Sequence, residues 1–128
     1  MKLGLDTSVV VRLITGQPVD HFARARQRLE AAAEAGDEIL LTDLVIGESY
    51  FVLRAHYGLA DADVRRALSQ VIRSGVFRVD PTEASRALDT AGGAGFADRL
   101  IHLRYRALGA TTLTFDRAQA RLEGAAEV

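Results

Sequence analysis

The 128-residue chain has no cysteine, no tryptophan, two prolines and one methionine, and only 6% of its residues are aromatic. The missing thiols exclude a disulfide framework, a thiolate zinc site and a cysteine nucleophile, and they fit a reducing compartment. No apolar run reaches the roughly eighteen residues that a bilayer-spanning helix needs, so no membrane association is expected. Charge of one dominant sign is also missing. Sixteen basic residues against 17 acidic ones leave a formal net charge of −1, which gives no global reason to expect nucleic acid and none to exclude it. Asp6 and Arg12 interrupt the apolar opening of the chain, so no secretory leader is expected and the chain reads as cytoplasmic. What is present, 48% hydrophobic and 26% charged residues, is ordinary for a globular protein, and the length fits one domain over residues 1–128.

Short apolar runs alternate with longer amphipathic stretches, the pattern of an α/β domain with a mainly parallel central sheet of four to five strands flanked by helices. The runs Leu3 to Leu5, Glu38 to Leu41, Val76 to Val79 and Thr111 to Phe115 are bounded by turn or cap residues and read as strands. Helices are expected over Val9 to Thr15, capped by Ser8, and over Phe22 to Ala35 and Leu44 to His56. Further helices are expected from Asp61 to about Arg73, over Thr82 to Ala91 and over Phe96 to Leu108. The tail after Leu122 reads as frayed or as a short edge element.

Four acids stand apart from those on solvated helix faces. Asp6 ends the first strand in Leu5-Asp6-Thr7-Ser8, and Asp116 ends the last in Thr112-Leu113-Thr114-Phe115-Asp116. Either is explained by helix capping, but ligands also collect beyond the carboxyl ends of parallel strands. Glu48 has Leu44, Val45, Phe51 and Val52 as its helical neighbours, so its carboxylate is expected on an apolar face, where a charge is costly without a partner or a metal. Asp98 falls in the first turn of a helix after Gly92-Gly93-Ala94-Gly95, a favourable place for an acid in the helix dipole. Two carboxylates about 4 Å apart repel by roughly 4 kcal/mol at an effective dielectric of about 20. A crevice collecting all four would therefore raise their pKa values or bind a cation, and oxygen donors alone suit Mg²⁺ or Mn²⁺. Such an ion polarises a phosphoryl oxygen and activates water, the equipment for phosphodiester hydrolysis.

In these segments the chain resembles the PIN-domain ribonucleases and, among them, the VapC-type toxins of toxin–antitoxin pairs. The resemblance runs through Leu5 to Leu13, Gly47 to Leu53, Gly95 to Ile101 and Thr112 to Asp116, nearly the whole chain. It implies that Asp6, Glu48, Asp98 and Asp116 are the acidic residues that bind metal and serve catalysis. Thr7, Ser8 and Thr114 match the family's small hydroxylic positions, which would hydrogen-bond those carboxylates. It also implies an endoribonuclease using Mg²⁺ or Mn²⁺ on structured RNA such as tRNA or rRNA. The expected partners are a second copy in a homodimer and a cognate antitoxin, whose tail would lie in an apolar groove offered by Tyr50, Phe51, Leu53 and Tyr57. Two positions depart from the pattern: Gly95 stands where many relatives carry a further acid, which weakens a two-metal reading, and Arg99 stands where they often have a small residue.

Other readings compete. A phosphatase of the haloacid dehalogenase type also begins with an acid after the first strand but wants a second one two residues on, where this chain has Ser8. A non-catalytic PIN-like module binding RNA or a protein would not need all four acids. The glycine run fails the dinucleotide fingerprint, Ser49 has no nucleophile elbow, and His102 reads as a partly buried or surface histidine before a metal ligand or base. The Arg24, Arg26, Arg28 cluster fits either a solvated helix face or a grip on RNA.

Overall fold

A computed structural model describes all residues, Met1–Val128. Three parallel strands form the central sheet in the order β1 (Lys2–Gly4), β2 (Glu38–Thr42), β3 (Phe77–Asp80), with Leu3 beside Ile39 and Leu40 beside Arg78. Parallel neighbours need crossover helices. α1 (Thr7–Thr15) and α2 (Val19–Glu34) connect β1 to β2, and α3 (Asp43–Ala55) and α4 (Asp61–Ile72) connect β2 to β3. A 3₁₀ helix (Thr82–Leu88) and α5 (Phe96–Ala107) lead to β4 (Thr112–Thr114), and α6 (Arg117–Ala120) leads to β5 (Ala125–Glu127). The strands number five and all pair in parallel, but they divide three and two. β4 pairs with β5 in a sheet of its own, through bonds such as Val128 N to Thr114 O at 3.0 Å. The tail after Leu122 is thus an edge strand.

Local chemistry explains the departures from the expected elements. α1 begins before Ser8 because Asp6, not Ser8, is its cap: the Asp6 carboxylate accepts from the Ser8 N–H and so satisfies a free donor of the first turn. Asp61 likewise stands inside the first turn of α4, with Ala60 as the capping residue. The segment expected as a helix over Thr82 to Ala91 tightens to 3₁₀ geometry, in which residues three apart share a face. Ala84 and Ala87 are both buried on that face, and Leu88 beside them reaches the same core.

The core gathers Val10 and Val11 of α1, Leu41 of β2, Ile46 and Leu53 of α3, Val64 and Leu68 of α4, and Leu100 of α5. At the edge of this core the Tyr50 hydroxyl donates to Asp61, which also accepts from Arg65 Nε at 2.9 Å, while the Tyr50 ring stacks on Phe96 at 4.2 Å. Tyr50 and Arg65 hold the Asp61 carboxyl below the usual carboxylate range, and burial together with the Asp61 charge pushes the Tyr50 phenol up. A carboxyl lowered on folding contributes stability that is present above the unfolded pKa of about 3.9 and is lost as pH falls through the lower folded value. Tyr50→Phe is therefore expected to cost about 1 kcal/mol at pH 6 and progressively less as pH falls below the unfolded carboxyl value and through the folded one, as urea midpoints of both proteins over an acidic pH series would show.

Candidate functional site

Both strand-terminal acids are caps. Asp6, two residues beyond β1, accepts through Oδ2 from the Ser8 hydroxyl at 2.8 Å and the Ser8 N–H at 3.2 Å. These bonds hold its carboxyl below the usual range, the hydroxyl contributing most, so it is ionised at neutral pH. Asp116, two residues beyond β4, caps α6 through Oδ1 and the Gln119 N–H at 2.7 Å. Each keeps a second carboxylate oxygen free of protein hydrogen bonds.

Asp98 is half-buried in the first turn of α5 and makes no side-chain hydrogen bond within the protein. Its main chain is fixed from the other side. Gln119, buried on α6, donates Nε2 to the Asp98 carbonyl at 3.0 Å while its own N–H meets Asp116. One glutamine therefore ties the Asp98 and Asp116 segments together. The sequence carried a signal for half of this, since Asp116 and Gln119 have capping-box spacing, but the glutamine side chain reaches another helix instead of its own cap.

Glu48 is placed differently from the expectation. Glu48 is exposed: its helical neighbours Leu44 and Phe51 are 78% and 63% exposed, while Val45 and Val52 on its other flank pack against the core. Glu48 lines an open groove of about 420 Å³ between α3 and α5 with Leu44, Phe51, Ala97 and Ile101. Ala97 precedes Asp98, so this groove lies alongside the Asp98 turn. The hydroxylic residues divide. Ser8 bonds a carboxylate as expected, Thr114 Oγ1 instead accepts from the Asp116 N–H at 2.9 Å, and Thr7 is buried without a side-chain bond to any carboxylate.

No three His, Asp or Glu side chains converge closely enough to hold a metal ion. The four candidate acids nonetheless share a property. None of them has a Lys, Arg or His nitrogen within 4.0 Å, whereas Asp43, Asp61, Asp80 and Asp89 are each paired with arginine. The donor chemistry, uncompensated carboxylates with free oxygens, fits a hard divalent cation, while their present separation places fewer than three on any one position.

Neighbouring residues have structural duties. Arg99 donates to the carbonyls of Ala94 and Gly92 at 3.1 and 2.8 Å and so braces the glycine loop, with no acid paired to it. His102 is buried between Thr112 Oγ1 and the Glu123 carbonyl, both at 2.9 Å, leaving no ring nitrogen free for a metal. Ser49 is fully buried, out of reach of any substrate. Sequence reasoning passed over Asp43, whose carboxylate takes a two-pronged bond from Arg104 at 2.7 and 2.9 Å and locks α3 to α5.

A family model for the PIN domain matches residues 4–125. The chain belongs to the PIN-domain family. PIN domains are generally nucleases, hydrolases that act on nucleic acid with divalent metals, and the mixed α/β architecture with its parallel sheet agrees with that membership. No curated protein and no solved structure matches the chain. As the sequence pattern leads one to expect, Asp6 and Asp116 stand beyond the carboxyl ends of parallel strands and Asp98 at a helix start. No helix is long and apolar enough to cross a membrane.

Proposed function

We propose that this PIN domain is a cytoplasmic Mg²⁺- or Mn²⁺-dependent endoribonuclease, the toxin of a VapBC-type pair, acting on structured RNA such as tRNA or rRNA. The observation that carries the reading is the PIN-domain match over residues 4–125; the sequence resemblance adds acids at four positions, Asp6, Glu48, Asp98 and Asp116, that it assigns to metal binding. Asp6, Glu48 and Asp98 would hold the cation, and Asp116 would complete the set or orient water. When bound, the ion polarises a phosphoryl oxygen and lowers the pKa of water at the site. The chain's own part is to aim these carboxylates: Ser8 fixes Asp6 and lowers its pKa, Thr114 fixes the Asp116 backbone, and Gln119 holds the Asp98 and Asp116 segments in register.

The exposed apolar stripe Leu44, Phe51 and Ile101 supports a homodimer contact or the seat of an antitoxin segment. Leu53, expected in such a groove, is 0% exposed and belongs to the core instead, because it lies on the opposite face of α3 with Ile46. Phe51 and Tyr57 remain on the surface, and Tyr50 is half-buried against Phe96. The separation of the four carboxylates favours a second reading, a non-catalytic module that binds RNA or protein. One experiment divides the two. Purified protein incubated with total RNA is expected to cleave it in Mn²⁺ and to stop in excess EDTA, with activity restored by added Mn²⁺. Binding without cleavage under all three conditions would establish the second reading, and sedimentation of the same preparation reads the dimer.

A further inference from the structure

Charge of one sign collects between α1 and α2. His21, Arg24, Arg28 and Ala31 recur at helical intervals of three and four along α2, and Ser8 and Arg12 lie four apart on α1, so each set shares a face. The two faces border an open groove of about 770 Å³ lined chiefly by Ser8, Arg12, His21, Arg24, Gln27 and Arg28, with no carboxylate in its wall. Arg12 is set in place by Nη1 donating to the Ser8 carbonyl at 2.9 Å and Nε donating to His21 Nδ1 at 3.0 Å. Arg24 and Arg28 have no acid within 4.0 Å and no hydrogen bond, whereas Arg26 between them turns away and pairs with Glu30 at 2.8 Å. In a chain whose net charge is −1, this is a local concentration of guanidinium groups without counterions.

We propose that this groove is the track for the phosphate backbone of an unpaired stretch of the RNA substrate, such as a loop, leading to the Asp6 carboxylate. The proposal rests on the ribonuclease reading for the identity of the polyanion. Guanidinium forks match phosphate geometry, and three of them along one groove suit a chain of anions better than a single one. The groove also ends at the proposed site, since Ser8 in its wall donates its hydroxyl to Asp6. No Phe, Tyr or Trp lines it, and its polar wall is mostly guanidinium, so the groove suits the phosphate backbone better than base-specific readout.

The test measures binding of a labelled twenty-nucleotide single strand of RNA in EDTA by fluorescence anisotropy over a series of salt concentrations. The double variant Arg24→Ala/Arg28→Ala should bind roughly tenfold more weakly, with a log–log salt slope shallower by about 1.4, two contacts at about 0.7 each. Arg24→Lys/Arg28→Lys should restore most of the affinity, and thermal midpoints should match wild type because neither side chain has a partner to lose. An unchanged affinity and slope in the alanine double variant, from a wild-type protein that binds and cleaves RNA, overturns the groove alone. A wild-type protein that neither binds nor cleaves RNA overturns the ribonuclease reading and the groove with it. Loss of polyglutamate binding in the double variant with RNA binding intact assigns the groove to an acidic protein segment and overturns the RNA track.

Discussion

Asp98→Asn is expected to reduce RNA cleavage by about 100-fold or more while leaving the protein folded. The substitution is nearly isosteric, and Asp98 has no side-chain hydrogen bond to lose. Its backbone position depends on Gln119 Nε2 meeting the Asp98 carbonyl, which asparagine keeps. What disappears is the negative charge at the start of α5, worth about 0.3–1 kcal/mol in the helix dipole, so the melting temperature should fall by only a few degrees. Asp6→Asn is the informative companion. Asparagine is as good a cap as aspartate, so α1 should survive with the Ser8 bonds in place, and a lost activity then separates the charge of Asp6 from its capping. Gel analysis of RNA cleaved over time in Mn²⁺ is the measurement, and undiminished cleavage by Asp98→Asn would remove Asp98 from the site.

His102→Ala should destabilise the fold by about 2–4 kcal/mol, combining a cavity with two unmade hydrogen bonds. His102 is the bolt between α5 and the separate β4–β5 sheet, since its ring nitrogens bond Thr112 of β4 and the Glu123 carbonyl just before β5. Asp98 lies four residues before it on α5, and Asp116 follows β4, so the same bolt sets the distance between two of the candidate acids. Urea unfolding monitored by circular dichroism reads the loss. At a temperature where the variant remains folded, Mn²⁺ binding should persist in weakened form, because both ring nitrogens of His102 are engaged by protein groups and not by the metal. Complete loss of Mn²⁺ binding in a folded variant of unchanged stability would make His102 a ligand after all.

Much of this was legible in the sequence because it is local. Strand positions, the helix starts at Leu44 and Phe96 to within a residue, and the placement of Asp6 and Asp116 beyond strands follow from apolar periodicity and cap chemistry. Residues that depend on distant partners were not legible. Asp43 stands just before the expected helix start at Leu44, and only its bond to Arg104, 61 positions away, makes it a lock between helices. Arg99 gave no hint that it would brace carbonyls of the preceding loop. Glu48 shows the opposite failure: the pattern around it was read correctly as apolar, but a pattern cannot say whether an apolar face meets the core or solvent. The division of the sheet was hidden for the same reason, because a three-residue strand names no partner, and the ladder of β4 runs to a tail whose own strand is equally short.

The central claim is that Asp6, Glu48, Asp98 and Asp116 serve one divalent cation, although no three of them converge in this structure. Isothermal titration of the purified protein with Mn²⁺ tests it most directly. The account predicts saturable binding in the wild type that Asp98→Asn abolishes or weakens by about tenfold or more. Absence of saturable binding in the wild type, or binding that is equally tight in Asp98→Asn, would contradict it.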